Sequence, residues 1–127
     1  MDLPFNTSTR IIPKPWGQEE WIELNDRYCF KRLTVKAGKR TSLQYHNKKV
    51  ETMYVLSGKG ELTLQGEGTE KLEKIIVEEG DRITISPPRI HRMSGITDVV
   101  YLEASTPEVE DVVRLEDDYR REGTNAL

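Results

Sequence analysis

A single cysteine, two histidines and no apolar run long enough to cross a bilayer set the first limits on this chain. Cys29 has no partner for an internal disulfide, which fits a reducing compartment. The opening Met1-Asp2-Leu3-Pro4-Phe5-Asn6 lacks the positive and apolar regions of a secretory leader. Basic charge is not in excess: 19 Lys and Arg stand against 22 Asp and Glu, for a formal net charge of -3. That balance speaks against the broad positive field with which proteins grip nucleic acid. A few local cations can still hold an anionic metabolite. These absences describe a cytoplasmic domain with neither nucleic acid nor a membrane as partner.

At 127 residues the chain is long enough for one domain around one core. Residues 1–15 carry Pro4, Pro13 and Pro15 without sustained periodicity and read as an N-terminal arm. From Trp16 onward, short runs of strand composition alternate with turn residues. Strands are expected near 19–24, 28–36, 42–46, 51–57, 60–65, 74–78, 82–86 and 98–105. Many brief strands at close spacing point to an all-β antiparallel sandwich or small barrel over 16–106. The tail, 107–127, is charged, and its Val112, Leu115 and Tyr119 suit one face of a short helix or an extended strap laid on the barrel.

Both histidines end segments suited to holding a metal. Along a strand, side chains two apart share a face, so Gln44 and His46 point one way while Leu43 and Tyr45 point the other. Glu51 follows a tight connection and shares its face with Met53 and Val55. A carboxylate at the end of an apolar row is costly to bury unless it is paired or bound to a cation. His91, just past Pro87-Pro88, supplies a fourth ligand from another part of the sheet. Imidazole, carboxylate and amide oxygen together suit a divalent ion, zinc first, with nickel, iron or manganese accepting the same set. The competing reading is a hydrogen-bonded core histidine among ordinary polar groups. Lys31 presents a similar choice, because it lies between Cys29 and Leu33 on an apolar face. It either snorkels to an edge or serves a cavity.

The segment from Gly38 through His46, Glu51 and Gly58 resembles the first cupin motif, with Gln44 in place of its usual first histidine; Gly80 through His91 resembles the second. Within the cupins, Ser42-Leu43-Gln44-Tyr45-His46 with Glu51 is similar to the type II phosphomannose isomerase domain. Lys14-Pro15-Trp16-Gly17, Lys31-Arg32-Leu33-Thr34-Val35 and the run from Asp111 to Tyr119 extend that likeness over nearly the whole chain. The resemblance implies a double-stranded β-helix with a metal held by Gln44, His46, Glu51 and His91. It also places Lys31 and Arg114 at cationic positions suited to a sugar phosphate, and it implies a homodimer. The chain departs from the family at Thr52, where a histidine usually follows the ligand glutamate, and at Ser86-Pro87-Pro88.

The activity so implied is isomerisation of mannose 6-phosphate to fructose 6-phosphate through an enediolate. It needs a base for the carbon-bound proton. Lys31 and Glu103 are the candidates, the latter sharing a face with Tyr101 and Val99. Arg114, Lys31 and Arg89 are the candidates for holding the phosphate, with Arg40 as a further cation. The alternatives are an isomerase or epimerase of another carbohydrate or nucleotide-linked sugar, and a carbohydrate-binding cupin without turnover.

Overall fold

The computed structural model describes residues 8–124, so residues 1–7 of the expected arm and 125–127 of the tail lie outside the described residues. The strands are β1 (Arg10–Lys14), β2 (Gly17–Leu24), β3 (Cys29–Val35), β4 (Leu43–Tyr45), β5 (Glu51–Ser57), β6 (Lys59–Gln65), β7 (Leu72–Glu78), β8 (Arg82–Ile85), β9 (His91–Gly95), β10 (Val99–Ser105), β11 (Val113–Glu116) and β12 (Gly123–Thr124). They form two six-stranded antiparallel sheets, ordered β1-β2-β3-β10-β5-β8 and β12-β11-β4-β9-β6-β7. Among the described residues no helix is long and apolar enough to cross a membrane. The all-β, two-sheet expectation holds.

The sheets pack their inner faces into one core. Leu33, Val35, Met53, Val55, Val99 and Tyr101 come from the first sheet, and Leu62, Leu64, Val77 and Met93 from the second. Period-two alternation supplies these rows: β5 reads buried, half-buried, buried from Glu51 through Met53, and β3 does the same from Cys29 through Lys31. Towards one end of each row the inward positions turn polar. Lys31 pairs with Glu103, and Glu103 with Met53, across three strands of the first sheet. In the second, Arg114 pairs with Gln44, and Gln44 with His91. Two polar ladders therefore face each other where the apolar core stops.

Two segments differ from expectation, and a third settles a choice left open. Residues 10–14, read as arm, form β1 and pair antiparallel with this chain's own β2. Pro13 is tolerated there because β1 is an edge strand, with no ladder on its outer side among the described residues. The segment from His91 to Gly95 carries no strand signal of its own and becomes a strand because β4 and β6 flank it. The tail takes the extended form: β11 adds to β4, so the helical option for Val112, Leu115 and Tyr119 falls away.

One close approach fixes the hairpin that follows β5. Gly58 has a φ of 83° and its backbone lies against Asp98; a Cβ there would come within 1.9 Å of the Asp98 carbonyl oxygen. A left-handed L-residue plus displacement of that carbonyl costs about 2–4 kcal/mol. Gly58→Ala is expected to lower unfolding free energy by that amount in a urea titration.

Candidate functional site

His46, at the end of β4, Glu51, at the start of β5, and His91, at the start of β9, converge. One ligand atom from each lies within 4.8 Å of the others, and all three residues are buried. The His91 Nε2 is 2.9 Å and the His46 Nε2 3.3 Å from the Glu51 Oε1. Each ring turns its other nitrogen to a backbone carbonyl: His46 Nδ1 to Asp111, and His91 Nδ1 to Arg89 at 2.8 Å. A carbonyl can only accept, so each Nδ1 carries the hydrogen, and a neutral ring then presents a lone pair at Nε2. Two lone pairs and a carboxylate oxygen thus point into one small space. Glu51 Oε1 is fully buried there and has no hydrogen-bond partner among the described residues.

That arrangement fits a divalent cation, which would join three acceptors that otherwise repel. Gln44 stands directly beside His91 in the ladder and lines the same cavity, so its amide oxygen can complete the set. Without a cation the same need falls on protons. Burial works against charge on His91, but Glu51 beside it raises the imidazole pKa. For Glu51, burial is outweighed by Lys49 and His91, which hold its carboxyl well below the ordinary range.

A second group of charges adjoins the first. Lys49 lies between two carboxylates, 3.6 Å from Glu51 Oε2 and donating to Glu103 Oε1 at 3.1 Å. Burial opposes its charge, yet Glu103 and Glu51 raise its pKa well above the usual lysine value. Glu103 moves the opposite way from Glu51. Burial and the neighbouring Glu51 raise its pKa, against the pull of Lys49 and Lys31.

Lys31 does line the cavity, but its ammonium is committed. It donates to Glu19 at 3.2 Å and sits 4.4 Å from the Trp21 ring centroid. Glu19 is itself held below the ordinary carboxylate range: burial works against the charge, and Lys31, Lys14 and the Trp21 indole N–H overcome it. Arg114 also lines the cavity and is buried.

Arg89 is a correction. Its guanidinium donates to the Gln65 carbonyl at 2.6 Å and faces a separate surface cleft with Glu67, so it does not reach the cavity. Arg40 is likewise outside, in a forked pair with Asp118. The structure adds Lys49, Glu19, Lys14 and Arg121 to the cavity wall; in the sequence Lys14 shows only within the Lys14-Pro15-Trp16-Gly17 likeness, and the other three do not stand out. Lys49 sits in a run, Asn47-Lys48-Lys49, that has the composition of a solvated turn. What buries it is Asp111, whose carboxylate accepts the backbone N–H of residues 47, 48 and 49 at 2.7–3.1 Å.

This double-sheet barrel with histidines and a carboxylate at its polar end is a cupin. An RmlC-like cupin from Shewanella frigidimarina superposes with a TM-score of 0.68 at 14% identity, covering 87% of this chain and 94% of that one. The capsular polysaccharide assembling protein CapF from Staphylococcus aureus superposes at 0.74 with 21% identity, over 88% of this chain and 35% of that one. Those likenesses show the fold. The profile of the mannose-6-phosphate isomerase C-terminal family matches residues 5–117, and the chain belongs to that family. Mannose-1-phosphate guanylyltransferase ManC of Salmonella typhimurium is 32% identical over 117 residues, covering 88% of this chain and 23% of the relative. The chain spans about a quarter of the length of the curated relatives it matches.

Proposed function

We propose that this chain is a metal-dependent aldose–ketose isomerase acting on a phosphorylated sugar, of the mannose 6-phosphate to fructose 6-phosphate type. One observation carries the reading: the orphaned Glu51 oxygen between two Nε2 atoms opens into a cavity that also holds a carboxylate, Glu103, with a raised pKa. The family's description and ManC's name both concern phosphorylated mannose, which supports the choice of sugar.

The reaction moves a proton between adjacent carbons while negative charge gathers on oxygen. His46, Glu51 and His91, with Gln44, would hold a divalent ion, which when bound supplies Lewis-acid stabilisation of that charge. Glu103 is the group placed to move the carbon-bound proton. Burial and the neighbouring Glu51 raise its pKa, the direction that makes a carboxylate a stronger base. Lys49 donates to one of its oxygens and fixes the carboxylate's orientation. Lys31 donates to Glu19 and lies over the Trp21 ring, which suits a binding role. The sugar's hydroxyl proton passes between its own neighbouring oxygens, so no further reactant is required.

The departure at Thr52 does not weaken this reading. Thr52 points away from the cavity, where its hydroxyl meets that of Thr84 at 2.9 Å. A histidine at that position would alter the outer face of β5, not the site.

The test is exchange of the sugar's C2 hydrogen with solvent deuterium in metal-loaded protein, together with appearance of the ketose. Glu103→Gln is expected to lower kcat by about 10²–10⁴-fold with little change in KM. Absence of exchange with any aldose or ketose phosphate would leave carbohydrate binding without turnover as the surviving reading.

A further inference from the structure

Beneath the polar ladders the cavity wall carries two buried hydroxyl groups, one from each side. Tyr101 stands between Leu33 and Val55 in the first sheet, one inward position closer to the core than Glu103. On the other wall, the Gln44–His91 pairing continued two residues inward sets Ser42 beside Met93. The Thr41 N–H, donating to the Met93 carbonyl at 2.9 Å, holds it there. Both Tyr101 and Ser42 line the cavity and are 2% exposed. Neither hydroxyl has a hydrogen-bond partner among the described residues. Thr41 shows the contrast. Also buried, its hydroxyl accepts from the Met93 N–H at 3.1 Å and donates to the Ser42 carbonyl at 3.3 Å.

Burial foremost, with Glu103, Glu51 and Glu19, raises the pKa of Tyr101, so the phenol keeps its proton and can donate. Ser42 can donate or accept. A buried hydroxyl without a partner is costly, so the partner comes from outside the chain, as water or as ligand. The surroundings decide what kind of ligand fits. Leu33, Met53 and Met93 line the wall around the pair. An anion lowered there would exchange its hydration for apolar neighbours and the field of the nearby carboxylates. A neutral hydroxyl gives up a water and gains an equal partner. A carbon chain with a hydroxyl on each carbon has the matching pattern, C–H groups for the apolar wall and O–H groups for Tyr101 and Ser42.

We infer that Tyr101 and Ser42 are specificity-determining residues that bind neutral hydroxyl groups on the unreactive carbons of the sugar, from opposite walls of the cavity. The inference rests on the proposed function for its ligand being a sugar, and it names what selects that sugar by its hydroxyl pattern. A site built to hydrogen-bond a hydroxyl rejects the analogue that lacks it, because its own buried group is then left unpaired.

The experiment is titration calorimetry of the metal-loaded full chain with mannose 6-phosphate and its 3-deoxy and 4-deoxy analogues. The wild type is expected to bind at least one analogue about tenfold more weakly than the parent sugar. Tyr101→Phe keeps the ring and its packing, so its melting temperature without sugar should not fall. It should bind the parent about tenfold more weakly and no longer distinguish it from one analogue. Ser42→Ala should erase discrimination against the other. Three results would each overturn the inference: parent affinity unchanged in folded Tyr101→Phe, equal losses for parent and both analogues, or a wild type blind to both deoxy positions. A lowered melting temperature in Tyr101→Phe would do so too, by assigning the phenol to the fold. Hydroxyl discrimination without exchange of the C2 hydrogen would sink the isomerase reading alone. Exchange in a protein whose Tyr101→Phe and Ser42→Ala forms bind as the wild type does would sink this inference alone.

Discussion

Chelation is expected to lower the melting temperature of the wild-type protein by roughly 10–20 °C, and Glu51→Gln is expected to abolish that dependence on metal. The magnitude follows from mass action: an ion present at about a thousand times its dissociation constant stabilises the folded state by about 4 kcal/mol. In a domain of this size each kcal/mol moves the midpoint by several degrees. Glu51 is the residue to change because its Oε1 is the buried atom left without a hydrogen-bond partner between the two imidazoles. Glutamine keeps the shape and removes the charge, so the ion loses its anionic ligand. The competing account makes the cluster a buried ion pair with His91 protonated by Glu51's influence. Breaking such a pair costs about 3–5 kcal/mol whether or not chelator is present. The two accounts part on one comparison. If the wild-type midpoint is indifferent to chelator while Glu51→Gln melts lower in every buffer, the cluster is a structural ion pair and no metal belongs there. Elemental analysis of the purified wild type and variant supplies the independent readout.

Much of this site is legible in the sequence wherever it depends on parity. Glu51 with Met53 and Val55, and Lys31 with Cys29 and Leu33, each fall on the inward face that alternation assigns them. Glu103 follows from Tyr101 and Val99 in the same way, and the register sets it directly opposite Lys31. Parity fails where burial comes from something other than the strand's own pattern. β9 holds His91 yet lacks β-branched residues, and its extended form is imposed by ladders on both sides. β1 contains Pro13 and so looks irregular, although an edge strand loses little by that proline. Its Lys14 shows in the sequence only within the Lys14-Pro15-Trp16-Gly17 likeness, with nothing local to place it at the cavity. The 47–50 connection is polar in composition, and nothing local indicates that its third residue turns inward. Arg89 misleads in the opposite sense. It lies two residues before His91 in sequence, but its side chain is drawn to the Gln65 carbonyl on the outside.

Asp111 shows how a residue outside the cavity can still shape it. Its carboxylate gathers the N–H groups of Asn47, Lys48 and Lys49, and its carbonyl accepts from the His46 ring. One residue of the tail thereby fixes the His46 tautomer, the entry of Lys49 into the cavity and the approach to Glu51. The carboxylate stays charged in this position: burial works against it, but the three amides hold its pKa below the ordinary aspartate value. Asp111→Ala leaves those amides to water, since the loop is exposed at residues 47 and 48, so the barrel is expected to stay folded with a loss of about 1–3 kcal/mol. Metal affinity is expected to fall by about 10–100-fold, the usual cost of removing a group that orients a ligand. With the ion restored at saturating concentration, turnover should remain depressed, because Lys49 no longer enters the cavity at a fixed angle to Glu103. A competition titration against a coloured chelator measures the first effect and steady-state kinetics the second. If the folded variant binds metal as tightly as the wild type, the tail is a strap on the barrel and takes no part in building the site.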